Sequence, residues 1–91
     1  MNTVEILITG RVQKVGFRAC VKKIAINLGV CGEVMNLPDG RVRIYANADQ
    51  VLSDKFISML YGCPRVVIRE LAVSPCDHRD YRDFSINRTG C

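Results

Sequence analysis

The segment Gly10-Arg11-Val12-Gln13-Lys14-Val15-Gly16-Phe17-Arg18 has the composition of an anion site. Two glycines bracket a loop that follows an apolar run and precedes a stretch with helical spacing. Loops of this kind turn backbone N–H groups outward, and the helix behind them adds partial positive charge at its amino end. No Ser, Thr, Asp or Asn occurs from Gly10 to Ile26, so the first helix has no conventional side-chain cap. Its first amides must take water or a bound anion. Arg18, at the start of that helix, can fork two phosphate oxygens while loop amides hold the rest. The candidate phosphate-binding residues are Gln13, Lys14, Val15, Gly16, Phe17 and Arg18. The same segment also suits a plain surface loop carrying a solvated arginine. It is not a Walker loop, because Gly-x-x-x-x-Gly-Lys-Ser/Thr is absent.

Asn36 is the second candidate. A neutral amide beside a phosphate can accept a hydrogen bond from a water and donate one to an oxygen. It could thus aim the water at phosphorus without adding a repelling charge. The competing reading is that Asn36 opens the turn Asn36-Leu37-Pro38-Asp39-Gly40, a common use of asparagine.

The elements that must position these residues follow from periodicity. Val4 to Thr9 reads as a central strand. Ala19 to Leu28 reads as a helix, with Phe17, Val21, Ile24, Ala25 and Leu28 on the apolar face and Gly29 as its stop. Cys31 to Met35 and Val42 to Ala46 form a hairpin across Pro38-Asp39-Gly40. A second helix, capped by Asn47 or Asp49, carries Val51, Leu52, Phe56, Met59 and Leu60 as its stripe and ends at Gly62 and Pro64. Val66 to Val73 is a fourth strand, Pro75 to Asp80 a polar loop, and Phe84 to Asn87 a short last strand. The order is β-α-β-β-α-β plus a short strand: an α+β, ferredoxin-like split βαβ sandwich, with two helices on one face of an antiparallel sheet. The expected spatial order is 4-1-3-2, with a right-handed crossover from the first strand to the second. Those two strands run parallel in this arrangement, which puts Asn36 at the same end of the sheet as the loop.

Composition sets the outer limits. The 91 residues are expected to form a single domain spanning residues 1–91. Thirteen basic and nine acidic residues give a net charge of +4, which favours anions without naming one. No apolar run approaches the ~18 residues of a membrane span. The start, Met1-Asn2-Thr3-Val4-Glu5, lacks a basic leader, so the expected location is the cytoplasm. The five cysteines are irregularly spaced without a Cys-x-x-Cys pair, and there is one histidine, His78. That argues against zinc or a metal-chaperone role, and the cysteines are expected to be thiols. With only six aromatic residues and no clustered-aromatic RNA motif, a nucleic-acid partner is not expected.

Loop and asparagine together resemble the acylphosphatase family. Its first signature, Gly-x-Val-Gln-Gly-Val-x-Phe-Arg, is similar to Gly10 through Arg18. Its second, Gly-x-Val-x-Asn-x-x-Asp-Gly-x-Val, matches Gly32-Glu33-Val34-Met35-Asn36-Leu37-Pro38-Asp39-Gly40-Arg41-Val42. The Leu28-Gly29 step and Phe84-Ser85-Ile86 resemble the family as well. The resemblance implies hydrolysis of an acyl phosphate to a carboxylate and inorganic phosphate. It implies Arg18 and Asn36 as catalytic residues, Arg18 binding phosphate with the loop amides and Asn36 orienting the water. It implies no metal, no cofactor and no covalent intermediate; a monomer is expected. One departure stands out: Lys14 occupies the place of a family glycine. Positive φ there would strain the loop by roughly 1 kcal/mol. That keeps a second reading in view, a phosphate-binding module of the same fold with weakened catalysis. Ala19 and Cys20 stand where relatives often carry aromatics, which changes how the acyl end of a substrate is met.

Overall fold

The structure, a computed structural model, describes residues 2–88. Strand β1 (Thr3–Arg11) leads into α1 (Phe17–Leu28), then β2 (Cys31–Asn36), β3 (Val42–Asn47), α2 (Gln50–Leu60), β4 (Val67–Cys76) and β5 (Phe84–Asn87). The strands lie in the order β4-β1-β3-β2-β5. β1 is antiparallel to β3 and β4, β2 is antiparallel to β3, and β5 joins β2 in parallel. The expected 4-1-3-2 order is present, extended by β5. Because β1 and β2 both oppose β3, they run the same way and end at the same edge.

The core lies between the sheet and the two helices. Ile6, Ile8, Val34, Val42 and Ile44 rise from the strands to meet Phe17, Val21, Ala25, Phe56 and Leu60. Phe56 and Phe84 meet edge to face, with centroids 6.3 Å apart. Gly32 is required where β2 meets β3, since a Cβ there would sit 1.9 Å from the Tyr45 carbonyl oxygen.

Three details differ from the sequence reading. Helix α1 begins at Phe17, two residues before Ala19. On α2, Val51 is 79% exposed and Ser53 is buried in its stead. Ser53, Phe56 and Leu60 share one face, and at about 100° per residue Val51 falls across the helix from Ser53. Strand β4 continues through Pro75 to Cys76, where a polar loop was expected; as an edge strand it tolerates a residue without an N–H. Of the two expected caps of α2, Asp49 is the one used: its Oδ1 accepts from the Leu52 N–H at 2.8 Å. Asn47 instead accepts from the Thr3 hydroxyl and donates to the Arg79 carbonyl.

That last contact belongs to a strap, residues 77–83, crossing the sheet face away from the helices. Arg79 stacks on Tyr45 at 4.0 Å. Tyr81 donates its hydroxyl hydrogen to Glu33, which also accepts from Asn87. Burial alone would raise the Glu33 carboxyl. The hydrogen bonds from Tyr81 and Asn87, with the charges of Arg79 and Arg43, outweigh it and hold the group below the ordinary range. Burial first, then the bond to Glu33, pushes the Tyr81 phenol up to about 12.

The cysteines depart furthest from expectation. Cys20 and Cys63 form a disulfide, with Cα atoms 6.1 Å apart, so they are not thiols. Folding brings the first turn of α1 beside the exit of α2, a proximity that spacing along the chain does not reveal. Cys31 and Cys76 remain free, and Cys91 lies outside the described residues.

Two outcomes follow. Reduction, or Cys63→Ser, should lower unfolding free energy by about 2–4 kcal/mol in denaturant titrations, since the bridge closes a 43-residue separation. Tyr81 binds its proton more tightly folded than unfolded, so its contribution is intact below the unfolded value of 10.0 and is lost as pH rises toward about 12. Thermal unfolding across that window should show an alkaline loss of stability that Tyr81→Phe diminishes.

Candidate active site

The loop between β1 and α1 is held from both sides. Val12 and Phe17 are buried, and Val15 packs partly against the core. Gln13 turns the other way: its Nε2 donates to the carbonyls of Leu37 and Arg41, both at 2.9 Å. This side chain therefore fastens the loop to the β2–β3 turn. Gly16 is the N-cap of α1 at φ 76, without a side-chain hydrogen bond to the helix and without an acid in the first turn. The capping deficit expected from sequence is present.

Lys14 has φ 62, so the non-glycine residue adopts the left-handed conformation that its place in the loop demands. The expected strain is present.

Beside α1's amino end lies a cavity of about 150 Å³. At ~30 Å³ per water, that is several waters' worth, room for a tetrahedral oxyanion. Its walls are Val12, Lys14, Gly16, Phe17, Arg18, Ala19, Ile86 and Arg88. Three carry positive charge and none is acidic. Of the candidate phosphate-binding residues, Lys14, Gly16, Phe17 and Arg18 line this cavity. Gln13 and Val15 do not face the cavity; they anchor the loop that does.

Asn36 closes β2 at the same end of the sheet and is 8% exposed. It lies outside the cavity walls and is tied to the loop through its neighbour Leu37, whose carbonyl Gln13 holds. Its Oδ1 is buried without a hydrogen-bond partner among the described residues. The turn that follows is closed by others: Leu37 donates to the Arg41 carbonyl, Gly40 to the Leu37 carbonyl, and Asp39 binds Arg41. Asn36 thus keeps an acceptor that the turn does not use.

Two basic residues escaped the sequence reading. Arg88 follows β5, whose parallel register with β2 brings it level with Asn36. Arg65, itself at φ 65, has a guanidinium nitrogen 3.7 Å from the point where a Cβ on Gly16 would lie. Neither belongs to a recognisable motif, and only tertiary pairing delivers them. Among the described residues no group of three His, Cys, Asp or Glu side chains is arranged to hold a metal.

The acylphosphatase family profile matches residues 4–86. An acylphosphatase from Archaeoglobus fulgidus is 40% identical over 87 residues, covering 94% of this chain and 98% of that one. The chain belongs to the acylphosphatase family. Among solved structures, the acylphosphatase from Bacillus subtilis superposes with a TM-score of 0.89 at 30% identity, covering 96% of this chain and 99% of that one. A structure of full-length HypF in its phosphate- and nucleotide-bound form contains a similar unit: TM-score 0.85 and 31% identity over 98% of this chain, but 12% of the larger one. Within the acylphosphatase fold, the loop, Arg18 and Asn36 are held together by backbone pairing and by Gln13. Gln13→Ala should cost about 1–2 kcal/mol for two lost hydrogen bonds in denaturant titrations, while the helical circular dichroism stays native.

Proposed function

We propose that this acylphosphatase cleaves the phosphorus–oxygen bond of small acyl phosphates by direct attack of water, with Arg18 and Asn36 as its catalytic residues. The observation that carries the reading is the uncapped amino end of α1 opening on an acid-free cavity lined by Lys14, Arg18 and Arg88. A phosphoryl group seated there would accept from the first amides of α1 and from the Arg18 guanidinium. Those donors meet the equatorial oxygens, where charge is held as the bond to the leaving carboxylate breaks.

Asn36 would orient the nucleophile. Its Oδ1 accepts from a water while the amide stays neutral, so the lone pair of that water can approach phosphorus without a nearby anion. One phosphorus–oxygen bond forms to water and one breaks to the acyl oxygen. The products are a carboxylate, inorganic phosphate and a released proton. The leaving carboxylate is already stable, so positioning and charge suffice, and we propose that the reaction needs neither metal nor cofactor. Every side chain of the proposed site comes from one chain, so a monomer is enough. Nucleic acid has no part in this chemistry. We also propose a cytoplasmic location, since anionic acyl phosphates do not cross a bilayer unaided.

Benzoyl phosphate hydrolysis without added metal tests the reading. Arg18→Ala and Asn36→Ala should each lower kcat by at least about 100-fold with native circular dichroism; full activity in either variant would refute the assignment. The same assay on Lys14→Gly measures what the left-handed lysine does. Relief of strain predicts unchanged or higher turnover, and a large loss would instead make the Lys14 ammonium part of phosphate binding.

A further inference from the structure

A second depression adjoins the proposed phosphate cavity along α1. The two share Ala19 and Ile86 as walls. This groove, about 280 Å³, is lined by Ala19, Lys22, Lys23, Ile26, Asn27 and Ile86. The helical members are spaced as one face of an α-helix. Ala19 and Ile26 are separated by about 10 Å along the axis at ~1.5 Å per residue. Ile26 is 60% exposed, a large apolar side chain outside the core. Lys22 and Lys23 form no ion pair with the described residues. The groove therefore has an apolar floor, a basic edge and no acid.

An acyl phosphate with its phosphoryl group at the amino end of α1 must direct its acyl group away from the loop. The groove lies next to the cavity, with Ala19 and Ile86 lining both. We infer that this groove is an acyl subsite that favours extended acyl groups ending in a carboxylate. The chain would lie on Ala19, Ile26 and Ile86, and its terminal carboxylate would face Lys22 and Lys23. This inference rests on the phosphate-site reading above. A short acyl group does not reach Ile26, and a long neutral one leaves the lysines unmatched. Apolar contact with the floor should contribute on the order of tenfold in kcat/KM. Half-buried Lys22 and exposed Lys23 should add about two- to fivefold, an increment that fades as salt rises.

Three probes separate these effects: acetyl phosphate, octanoyl phosphate and suberoyl monophosphate, the last being octanoyl with a terminal carboxylate. The expected order of kcat/KM is suberoyl, octanoyl, acetyl. Ile26→Glu, a surface change, should reduce the suberoyl-to-acetyl ratio about tenfold. Lys22→Glu with Lys23→Glu should abolish the advantage of suberoyl over octanoyl while keeping that of octanoyl over acetyl. Equal kcat/KM for all three probes in the unaltered protein, or ratios that ignore Ile26→Glu, would overturn the subsite. Failure of the unaltered protein to hydrolyse any of the three would instead overturn the phosphate-site reading on which it depends.

Discussion

Helix α1 starts without a side chain to receive its first amides, and most of the architecture around it can be understood from that point. Gly16 supplies the left-handed turn into the helix and offers no side chain of its own. Val12 and Phe17, both buried, fix the loop ends in the core, so the helix end cannot withdraw from its cavity. No side chain caps this terminus, so solvent or an anion can complete its polar accounting. A phosphate bound there would do for the helix what Asp49 does for α2 from within the chain. Ligand binding and helix capping would then be one interaction, which is why the proposed phosphate site lies at this end of α1.

The remaining structure keeps that terminus in register with its partners. Gln13 spans from the loop to the β2–β3 turn, so Asn36 and the loop cannot drift apart without breaking two hydrogen bonds. The Cys20–Cys63 disulfide joins the first turn of α1 to the segment that carries Arg65. On the opposite face of the sheet, the strap over Tyr45 braces β3 and β2 through Glu33, Arg79 and Tyr81. None of these contacts touches the cavity. Gln13 and the disulfide constrain the loop and the helix end that do, and the strap braces the strand that carries Asn36.

Much of this was legible from residue types. Strand alternation, the spacing of Phe17, Val21, Ile24 and Ala25, and the turn at Pro38-Asp39-Gly40 give the element order and the sheet topology, because they report which side of each element is buried. The absence of capping residues before α1, legible in the sequence, is present in the structure, and left-handed Lys14 bears out the strain expected at that position. Errors fell where local pattern and tertiary environment part company. Val51 is apolar but faces solvent, because the position of α2 over the sheet is set by Phe56 and Leu60. Pro75 reads as a breaker, yet β4 has a neighbour on one side only.

By itself the sequence determined the β-α-β-β-α-β order, the loop and the two residues on which catalysis is proposed to turn, since each is encoded in short-range spacing and backbone preference. Tertiary structure alone decided the company they keep. The pairing of Cys20 with Cys63, the approach of Arg65 to Gly16, the arrival of Arg88 beside the cavity and the use of Gln13 as a tie all join residues far apart in the chain. Such contacts depend on the register of β5 against β2 and the placement of two helices on one sheet. No local property of the residues involved specifies them.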